Sequence, residues 1–364
     1  MSRPVFPVLS TDRMMQMLEP PHGRIRLIID TDTHNEIDDQ FALAWALLSQ
    51  DVFEIEGVLA APYSFAHHQA PLLAAYEEVK RDEGGDSPEV AIVGSYHRWA
   101  RNLIAAGTDP YTLEFVGPDE GMVLSYQEIL KVYELMGEDP RGVAFAGSPG
   151  YLPSLDQPYR NDAVDHLIER AMVEDDRPLY VAAIGAVTNI ASAILVEPRI
   201  IERIVVTWTS SYPSFSSLSS RPSLNLVQDL HASRLLFDCG VPHVYLPGFY
   251  IGAQLTLSLP DMERWVRGRG KIGDYLYDLY THNPIQRQRG ITDQDGRTWV
   301  IWDMINFAWL MDPDWVPSQL VPSPVLNQEL YWEHPDGRHL MREAVGIDRD
   351  AIFRDFFRKL EAAA

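Results

Sequence analysis

Residues 24–50 read RIRLIIDTDTHNEIDDQFALAWALLSQ, and this stretch decides the class of fold. The run IRLIID is short, apolar and β-branched, which is typical of a strand buried on both faces of a sheet. The run DQFALAWALLS that follows has the apolar spacing of a helix. Between the two lie four aspartates: Asp30, Asp32, Asp38 and Asp39. Because four carboxylates this close repel one another, the pattern indicates a bound cation that offsets the repulsion.

The same alternation of strand and helix patterns continues along the chain. Further strands are predicted at FEIEGVLAAP (53–62), LYVAAIGAV (179–187), IERIVVTWTSS (201–211) and PHVYLPGF (242–249). Helices are predicted at TNIASAILVEP (188–198), LHASRLLFDCG (230–240) and RDAIFRDFFRKLEAA (349–363), and VIWDMINFAWLM (300–311) is a helix or a strand–helix junction. This order predicts an α/β fold, an open Rossmann-type sheet that is mainly parallel and flanked by helices. Such sheets place their sites at the carboxyl ends of strands, where the aspartate cluster lies.

The predicted domain organisation is one domain over residues 1–364 with an insertion at about 67–120. The insertion interrupts the alternation with a helix, an acidic glycine-rich turn and a short apolar run, VAIVG. Because it follows a strand end, we expect it to pack beside the mouth of the pocket or at a subunit contact.

The composition limits which binding partners and which cellular compartment we expect. The chain has 364 residues, 30 basic against 52 acidic, and a formal net charge of −22. That balance argues against nucleic-acid or anionic-membrane partners, which require basic patches. A single cysteine, Cys239, excludes an intrachain disulfide and favours a reducing compartment, so we predict a cytoplasmic protein. No segment reaches the ~20 apolar residues of a membrane span, and the N-terminal segment has no apolar signal region.

The aspartate cluster admits several interpretations. Favourable charge at a helix N-terminus would account for one or two of the acids but not for all four. Hard cations such as Ca²⁺ and Mg²⁺ take oxygen ligands, whereas zinc prefers thiolate and imidazole ligands that this stretch lacks. Haloacid-dehalogenase phosphatases open with D-x-D-x-T after an apolar strand, but here the fifth position is His34. That phosphatase interpretation is therefore the weakest.

A closer match is the nucleoside hydrolase family, including its inosine-uridine preferring members. Its opening motif D-x-D-P-G-x-D-D resembles this stretch in all four acids, with an expansion of two residues at 33–37. Three later segments resemble family motifs in the same order: VAAIGAVTNIASAIL (181–195), SLNLVQDLHASRLLF (223–237) and VIWDMINFAWLMDPDW (300–315). The expanded form TDTHNEIDDQFAL is typical of a distinct subgroup.

The resemblance implies a Ca²⁺-dependent N-glycosidase that hydrolyses a ribonucleoside or a related N-ribosyl compound. The implied ligands of one Ca²⁺ are the carboxylates of Asp32, Asp39 and Asp303 and the backbone carbonyl of Ile184. Asp32 would act as general base on a metal-held water that attacks the anomeric carbon. An acid such as Asp303 inside so apolar a segment is costly unless it is paired or bound to a metal.

The resemblance also implies which residues meet the substrate. Asp32 and Asp38 are the implied catalytic residues, and Asp38 and Asn225 match positions that hydrogen-bond the ribose hydroxyls. The full set of implied substrate-binding residues is Asp38, Asn225, Trp302, Ser223 and Asn35. Asn225 alone is equally well interpreted as a loop-capping residue. We also expect a homodimer or a homotetramer.

The chain departs from the family pattern at three positions. Ser223 replaces an acid, Trp302 replaces a histidine that protonates the leaving base in many members, and Phe65 or Ser64 stands where an asparagine is expected. Metal and water chemistry thus looks retained while substrate recognition looks altered. An alternative is a homologue that keeps the metal and binds a nucleoside or sugar without turnover.

Other polar and aromatic residues receive structural interpretations. Trp208 and Tyr212, like Trp302, would stack on a base or belong to the core. Asp229 is expected to cap the helix that follows it. The histidines of the insertion, His67 and His68, are expected to be solvated, and His282 is expected to be a loop residue.

Overall fold

The computed structural model describes residues 5–83, 85, 87–90, 94–292 and 296–364. Part of the predicted apolar run VAIVG, residues 91–93, lies outside the described residues.

The strands form one large sheet and two small ones within this part of the chain. They are β1 (Ile25–Thr31), β2 (Phe53–Ala60), β3 (Ala144–Phe145), β4 (Leu179–Ala183), β5 (Ile204–Ser210), β6 (His243–Pro247), β7 (Thr256–Ser258), β8 (Thr298–Val300), β9 (Ser318–Pro322), β10 (Val325–Leu326), β11 (Trp332–Glu333) and β12 (Leu340–Ala344). The large sheet has eight strands in the order β3-β2-β1-β4-β5-β6-β12-β9. Every neighbouring pair is parallel except β12 with β9 at one edge. The prediction of a mainly parallel sheet is confirmed.

The helices cover both faces of this sheet. They are α1 (Thr11–Met17), α2 (Asp38–Leu47), α3 (Gln69–Lys80), α4 (Tyr96–Ala106), α5 (Pro118–Met136), α6 (Asp162–Met172), α7 (Thr188–Val196), α8 (Leu224–Gln228), α9 (Leu230–Asp238), α10 (Leu259–Asp261), α11 (Gly270–Thr281), α12 (Pro284–Gln288), α13 (Met304–Met311) and α14 (Arg349–Ala362). The segment at 300–311 is a strand–helix junction, since β8 ends at Val300 and α13 begins at Met304.

The core explains why most residues of the central strands are apolar. All residues of β1, β4 and β5 are buried, because helices cover both faces of the sheet. Successive residues of β1 serve opposite faces: Ile29 packs with Phe41 and Trp309, while Ile28 packs with Ile190 on the other side. Asp32, Asp38 and Asp39, by contrast, lie after the carboxyl end of β1.

The segment predicted as an insertion has a small core of its own. Leu72 of α3 packs with Trp99 and Leu103 of α4, and the predicted end at residue 120 falls inside α5. One expectation was wrong here: His68 is buried, at 8% exposure, because its ring packs against those of Phe65, Tyr96 and Trp99. Its Nδ1 atom bonds the Tyr96 hydroxyl at 2.8 Å. His67 is exposed, as expected. None of the helices in the described chain has the length and apolar character needed to cross a membrane.

Candidate active site

The site begins where β1 ends and α2 starts. Asp32 follows β1 directly, and α2 opens with Asp38 and Asp39. Ile184 and Gly185 follow the neighbouring strand β4, and the Ile184 amide donates to the Asp30 carbonyl at 2.9 Å. Because β1 and β4 are parallel neighbours, their carboxyl ends bring these loops together.

Gly185 is required by the close approach of Asp32. A Cβ atom at position 185 would lie 2.9 Å from the Asp32 carboxylate carbon. Any side chain would therefore displace the acid. The glycine of the segment VAAIGAVTNIASAIL (181–195) thus has a steric role at the site.

Three acids form the tightest group in the cavity. Carboxylate oxygens of Asp38, Asp39 and Asp303 all lie within 4.8 Å of one another, and all three residues are buried. Asp303 comes from the start of α13, so distant parts of the chain converge here. Asp32 lines the same cavity at 1% exposure.

Hydrogen bonds fix the acids individually. The Asp39 Oδ1 atom accepts from the Thr31 hydroxyl at 2.5 Å. The Asp32 Oδ2 atom accepts from the Asn35 side-chain amide at 3.0 Å, which is where the structure places the predicted substrate-binding residue Asn35. The Asp32 Oδ1 atom has no hydrogen-bond partner within the described chain. That oxygen is the open acceptor of the cluster.

The electrostatics of the cavity favour a cation. Burial raises the pKa of Asp39 to about 7. Burial and then neighbouring carboxylates raise the pKa of Asp32 and Asp303 well above the ordinary range. Among the described residues that line the cavity there is no lysine or arginine to offset these charges. An all-oxygen donor set with an open carboxylate oxygen fits Ca²⁺, a hard cation.

Asp30 lies apart from the cavity. Its Oδ1 atom accepts from the Asn189 amide at 2.8 Å, and the same amide contacts the Ala60 carbonyl at 3.1 Å. Burial raises the pKa of Asp30 to about 7. Asp30 of β1 is therefore linked through Asn189 to α7 and β2, and it has a structural role next to the site.

Asn225 and Ile184 meet in the cavity wall. The Asn225 side-chain amide donates to the Ile184 carbonyl at 3.0 Å and approaches the Thr209 carbonyl at 3.4 Å. A carbonyl oxygen has two lone pairs, so this bond leaves one free for a cation. Asp229, by contrast, accepts from the Ala232 amide at 2.9 Å and caps α9, as expected.

Aromatic rings form another wall. Trp302 and Phe249 line the cavity and meet edge to face at a centroid distance of 5.8 Å. Tyr212 packs against Phe249 at 4.6 Å, farther out. Trp208 is a core residue, fully buried, and its indole donates to the Gly185 carbonyl at 3.0 Å.

Several lining residues were not predicted from the sequence. They are Glu36, Thr209, Ser210, Leu224, Gly248 and Phe249. Most follow the carboxyl ends of β5 and β6, and that position was the available signal. The predicted Ser223 also lines the cavity, where its hydroxyl meets that of Ser210 at 3.1 Å.

Histidines stay outside the cavity. Nδ1 of His34 bonds the Tyr63 hydroxyl at 2.8 Å, and His282 is exposed and pairs with Asp278 at 2.8 Å. No histidine is among the described residues that line the cavity.

Comparison with known proteins identifies the family. A family model described as "Inosine-uridine preferring nucleoside hydrolase" matches residues 27–353. The chain belongs to that family. The resemblance inferred from the sequence motifs is confirmed, and the phosphatase interpretation has no support.

The individual nucleoside hydrolases to which the chain is similar share only a small part of its sequence. The pyrimidine-specific ribonucleoside hydrolase RihB of Escherichia coli O1:K1 / APEC is 26% identical over 191 residues, which cover 51% of this chain and 58% of that protein. The match thus spans little more than half of the curated relative. A solved inosine-guanosine nucleoside hydrolase has a TM-score of 0.60 at 17% identity, covering 93% of this chain and 99% of its own. The inosine-uridine preferring enzyme from Bacillus anthracis has a TM-score of 0.58 at 16% identity, with 93% and 99% covered. These structures show the nucleoside hydrolase fold.

Proposed function

We propose that this protein is a Ca²⁺-dependent N-glycosidase that hydrolyses the bond between ribose and base in a ribonucleoside or a related N-ribosyl compound. The observation that carries the proposal is the buried acid cluster Asp32, Asp38, Asp39 and Asp303 in a cavity at the carboxyl edge of the sheet. Family membership supports the same reaction. We also propose a single domain with an insertion at 67–120, and a homodimer or a homotetramer. Light scattering of the full chain tests the oligomeric state.

The cation would be held by Asp32, Asp39, Asp303 and the Ile184 carbonyl. When bound, Ca²⁺ supplies positive charge and lowers the pKa of water in the site. The carboxylates contribute the negative charge that Ca²⁺ requires, and the Thr31 hydroxyl orients Asp39.

Asp32 is the proposed general base. The Asn35 amide holds its Oδ2 atom, and its Oδ1 atom, which has no partner in the described chain, would accept the proton of the attacking water. Asp38 and Asn225 would hydrogen-bond the ribose hydroxyls. Positive charge that develops on the ribose as the bond breaks is stabilised by the surrounding carboxylates.

The leaving group departs without a histidine in this proposal. Trp302 stands at the expected position of the acid, and an indole N–H donates a hydrogen bond but does not act as an acid near neutral pH. Stacking on Trp302 and Phe249 with proton delivery by water is one route. A leaving group that needs no protonation is the other.

The alternative function is binding of a nucleoside or sugar without turnover, and the lack of a histidine in the described lining of the acidic cavity favours it. A turnover screen with purine and pyrimidine nucleosides in the presence of Ca²⁺ separates the two. Release of free base supports the hydrolase. Binding of nucleosides with no release of base from any of them would overturn it.

A further inference from the structure

A second cavity adjoins the candidate active site. It has a volume of about 500 Å³, against about 80 Å³ for the first, and the two share Glu36 and Leu224 in their walls. A ligand-binding cavity typically measures ~300–1,000 Å³, so the second cavity provides most of the room for a substrate. A molecule held over the acid cluster therefore extends into it.

The second cavity contains a buried arginine. Arg289 follows α12 and is only 3% exposed, and its guanidinium lies 6.0 Å from the Phe65 ring centre and 5.5 Å from that of Trp99. Its Nε and Nη1 atoms have no hydrogen-bond partner in the described part of the chain. A buried charged donor without a partner is costly, so the geometry calls for an acceptor from outside the chain.

The nearest acid does not satisfy this arginine. Glu36 lies close enough to stabilise the charged guanidinium, yet its Oε2 atom is itself buried without a hydrogen-bond partner in the described residues. Burial lowers the pKa of Arg289 to about 10, which leaves the group charged at neutral pH. The Arg289 guanidinium is therefore charged and available to bind an anion.

Other donors face the same cavity. The Gln228 Oε1 atom accepts from the Ser64 amide at 2.6 Å, which leaves the buried Gln228 Nε2 atom without a partner among the described residues. Arg221, which is exposed, lines the cavity as well. The second cavity therefore offers buried donors, beside the shared Glu36 and an exposed acid, Glu89, whereas the first cavity has no lysine or arginine in its described lining.

We propose that the substrate is an N-ribosyl compound that carries an anionic group, a phosphate or a carboxylate, and that Arg289 binds this group in the second cavity. For the ribosyl part of the substrate, this inference rests on the proposed function. The anionic group would supply the acceptors that Arg289 and Gln228 lack, and Arg289 would offset its repulsion from the acid cluster.

The test is calorimetric binding to the full chain in Ca²⁺, which needs no turnover. The ligands are uridine, uridine 5′-monophosphate and orotidine, with adenosine and adenosine 5′-monophosphate as a second base. We expect an anionic ligand to bind about tenfold or more tightly than its neutral parent, the scale of one charge-assisted hydrogen bond. The nucleotides place the anion on the ribose and orotidine places it on the base, so the preferred ligand identifies the source.

Single substitutions test whether Arg289 causes the preference for an anionic ligand. Arg289→Gln should abolish the preference for the anionic ligand while leaving the Kd of the neutral parent within about twofold, and Arg289→Lys should retain part of the preference. Exposed Arg354→Gln is the control for net charge and should change nothing. If melting shows that Arg289→Gln does not fold, Arg221→Gln at the exposed wall should weaken anionic ligands alone.

Two results would overturn the inference. One is equal binding of anionic and neutral ligands, and the other is an equal loss of both in Arg289→Gln. If neutral nucleosides are hydrolysed in either case, the proposed function stands and this inference alone fails. Failure of every ligand to bind would overturn both.

Discussion

Asp32 has two oxygens with different surroundings, and this difference bears directly on catalysis. One oxygen accepts from Asn35, and the other is buried with no hydrogen-bond partner in the described part of the chain. A base must have a fixed position and a free lone pair, and Asp32 has both. Asp229 is a useful contrast, because both of its oxygens are occupied by donors from Leu152, Thr188 and Ala232.

We expect Asp32→Asn to lower kcat by about a thousandfold or more, because it removes the base and weakens the cation site together. Single-turnover kinetics on whichever nucleoside proves to be a substrate measures this effect. Asp229→Asn is the matched control and should lower the melting temperature while the chemical step continues, because an amide nitrogen replaces the Oδ2 atom that accepts from the Leu152 amide and the Thr188 hydroxyl. Near-normal turnover in Asp32→Asn would contradict the proposed base.

The histidines permit a complementary prediction. Single replacement of His34, His67, His68 or His282 by Ala should leave the chemical step largely intact, since none of them lines the acidic cavity and His67 and His68 line the second cavity instead. His68→Ala should lower stability, because that ring is buried and bonded to Tyr96. Rapid-quench measurement of base release tests each variant. A loss of about a thousandfold in one variant that still binds substrate would identify the missing acid.

At the scale of elements, α3 and α4 form part of the wall of the second cavity. Tyr96 of α4 lines that cavity, and Trp99 of α4 donates to the Gln288 carbonyl at 3.0 Å, next to Arg289. The segment 67–120 thus packs against the loop that presents the buried arginine. Its position supports the expectation that it lies beside the pocket.

Changes in this segment should alter the substrate profile. Deletion of residues 67–120 should change the order of preference among nucleosides or the oligomeric state, and Trp99→Ala should do so more mildly by loosening the wall. The ratio of kcat/KM values across a nucleoside panel is the measurement. Tyr111→Ala, at an exposed position in the same segment, is the control. An unchanged profile in an unchanged oligomer would argue against a role in recognition.

Sequence patterns predicted some elements and missed others for physical reasons. The strands β1, β4, β5 and β6 are fully buried and therefore mostly apolar, and such short apolar runs are visible in a sequence. The edge strand β9 is mostly exposed and ends in Pro322, so it has no comparable pattern.

Sequence patterns also predicted some residues of the site and missed others. The metal-ligand candidates lie in recognisable motifs, whereas Phe249 enters the cavity only through the tertiary approach of β6 to α13. Arg289 lies in a segment with no motif at all. Its burial depends on the packing of α4 against the loop after α12, which no local pattern records.

At the scale of the whole molecule, the acid cluster links cation binding to stability. Asp39 has its pKa raised by burial to about 7 in the folded state, while an unfolded aspartate titrates near ~4. The folded chain without a cation therefore favours protonated acids. Its stability should fall as the pH rises from about 4 to about 7, because ionisation then costs more in the fold than in the unfolded chain.

Ca²⁺ should reverse this trend. A cation that binds only the folded state raises the melting temperature, and it binds more tightly as the carboxylates lose their protons. Thermal melting across this pH range, with Ca²⁺ and after exhaustive chelation, gives the comparison. A melting temperature and activity that chelation leaves unchanged at neutral pH would refute the calcium site.

The two edges of the large sheet restrict how copies of this chain can associate. One edge is β3, with only two residues, and the other is β9, which pairs antiparallel with β12 and includes Pro322. Short edges and edge prolines hinder the addition of a strand from another molecule, and thereby protect against aggregation. A homodimer would consequently join through helices and loops, and each copy would keep its own sheet closed to the other.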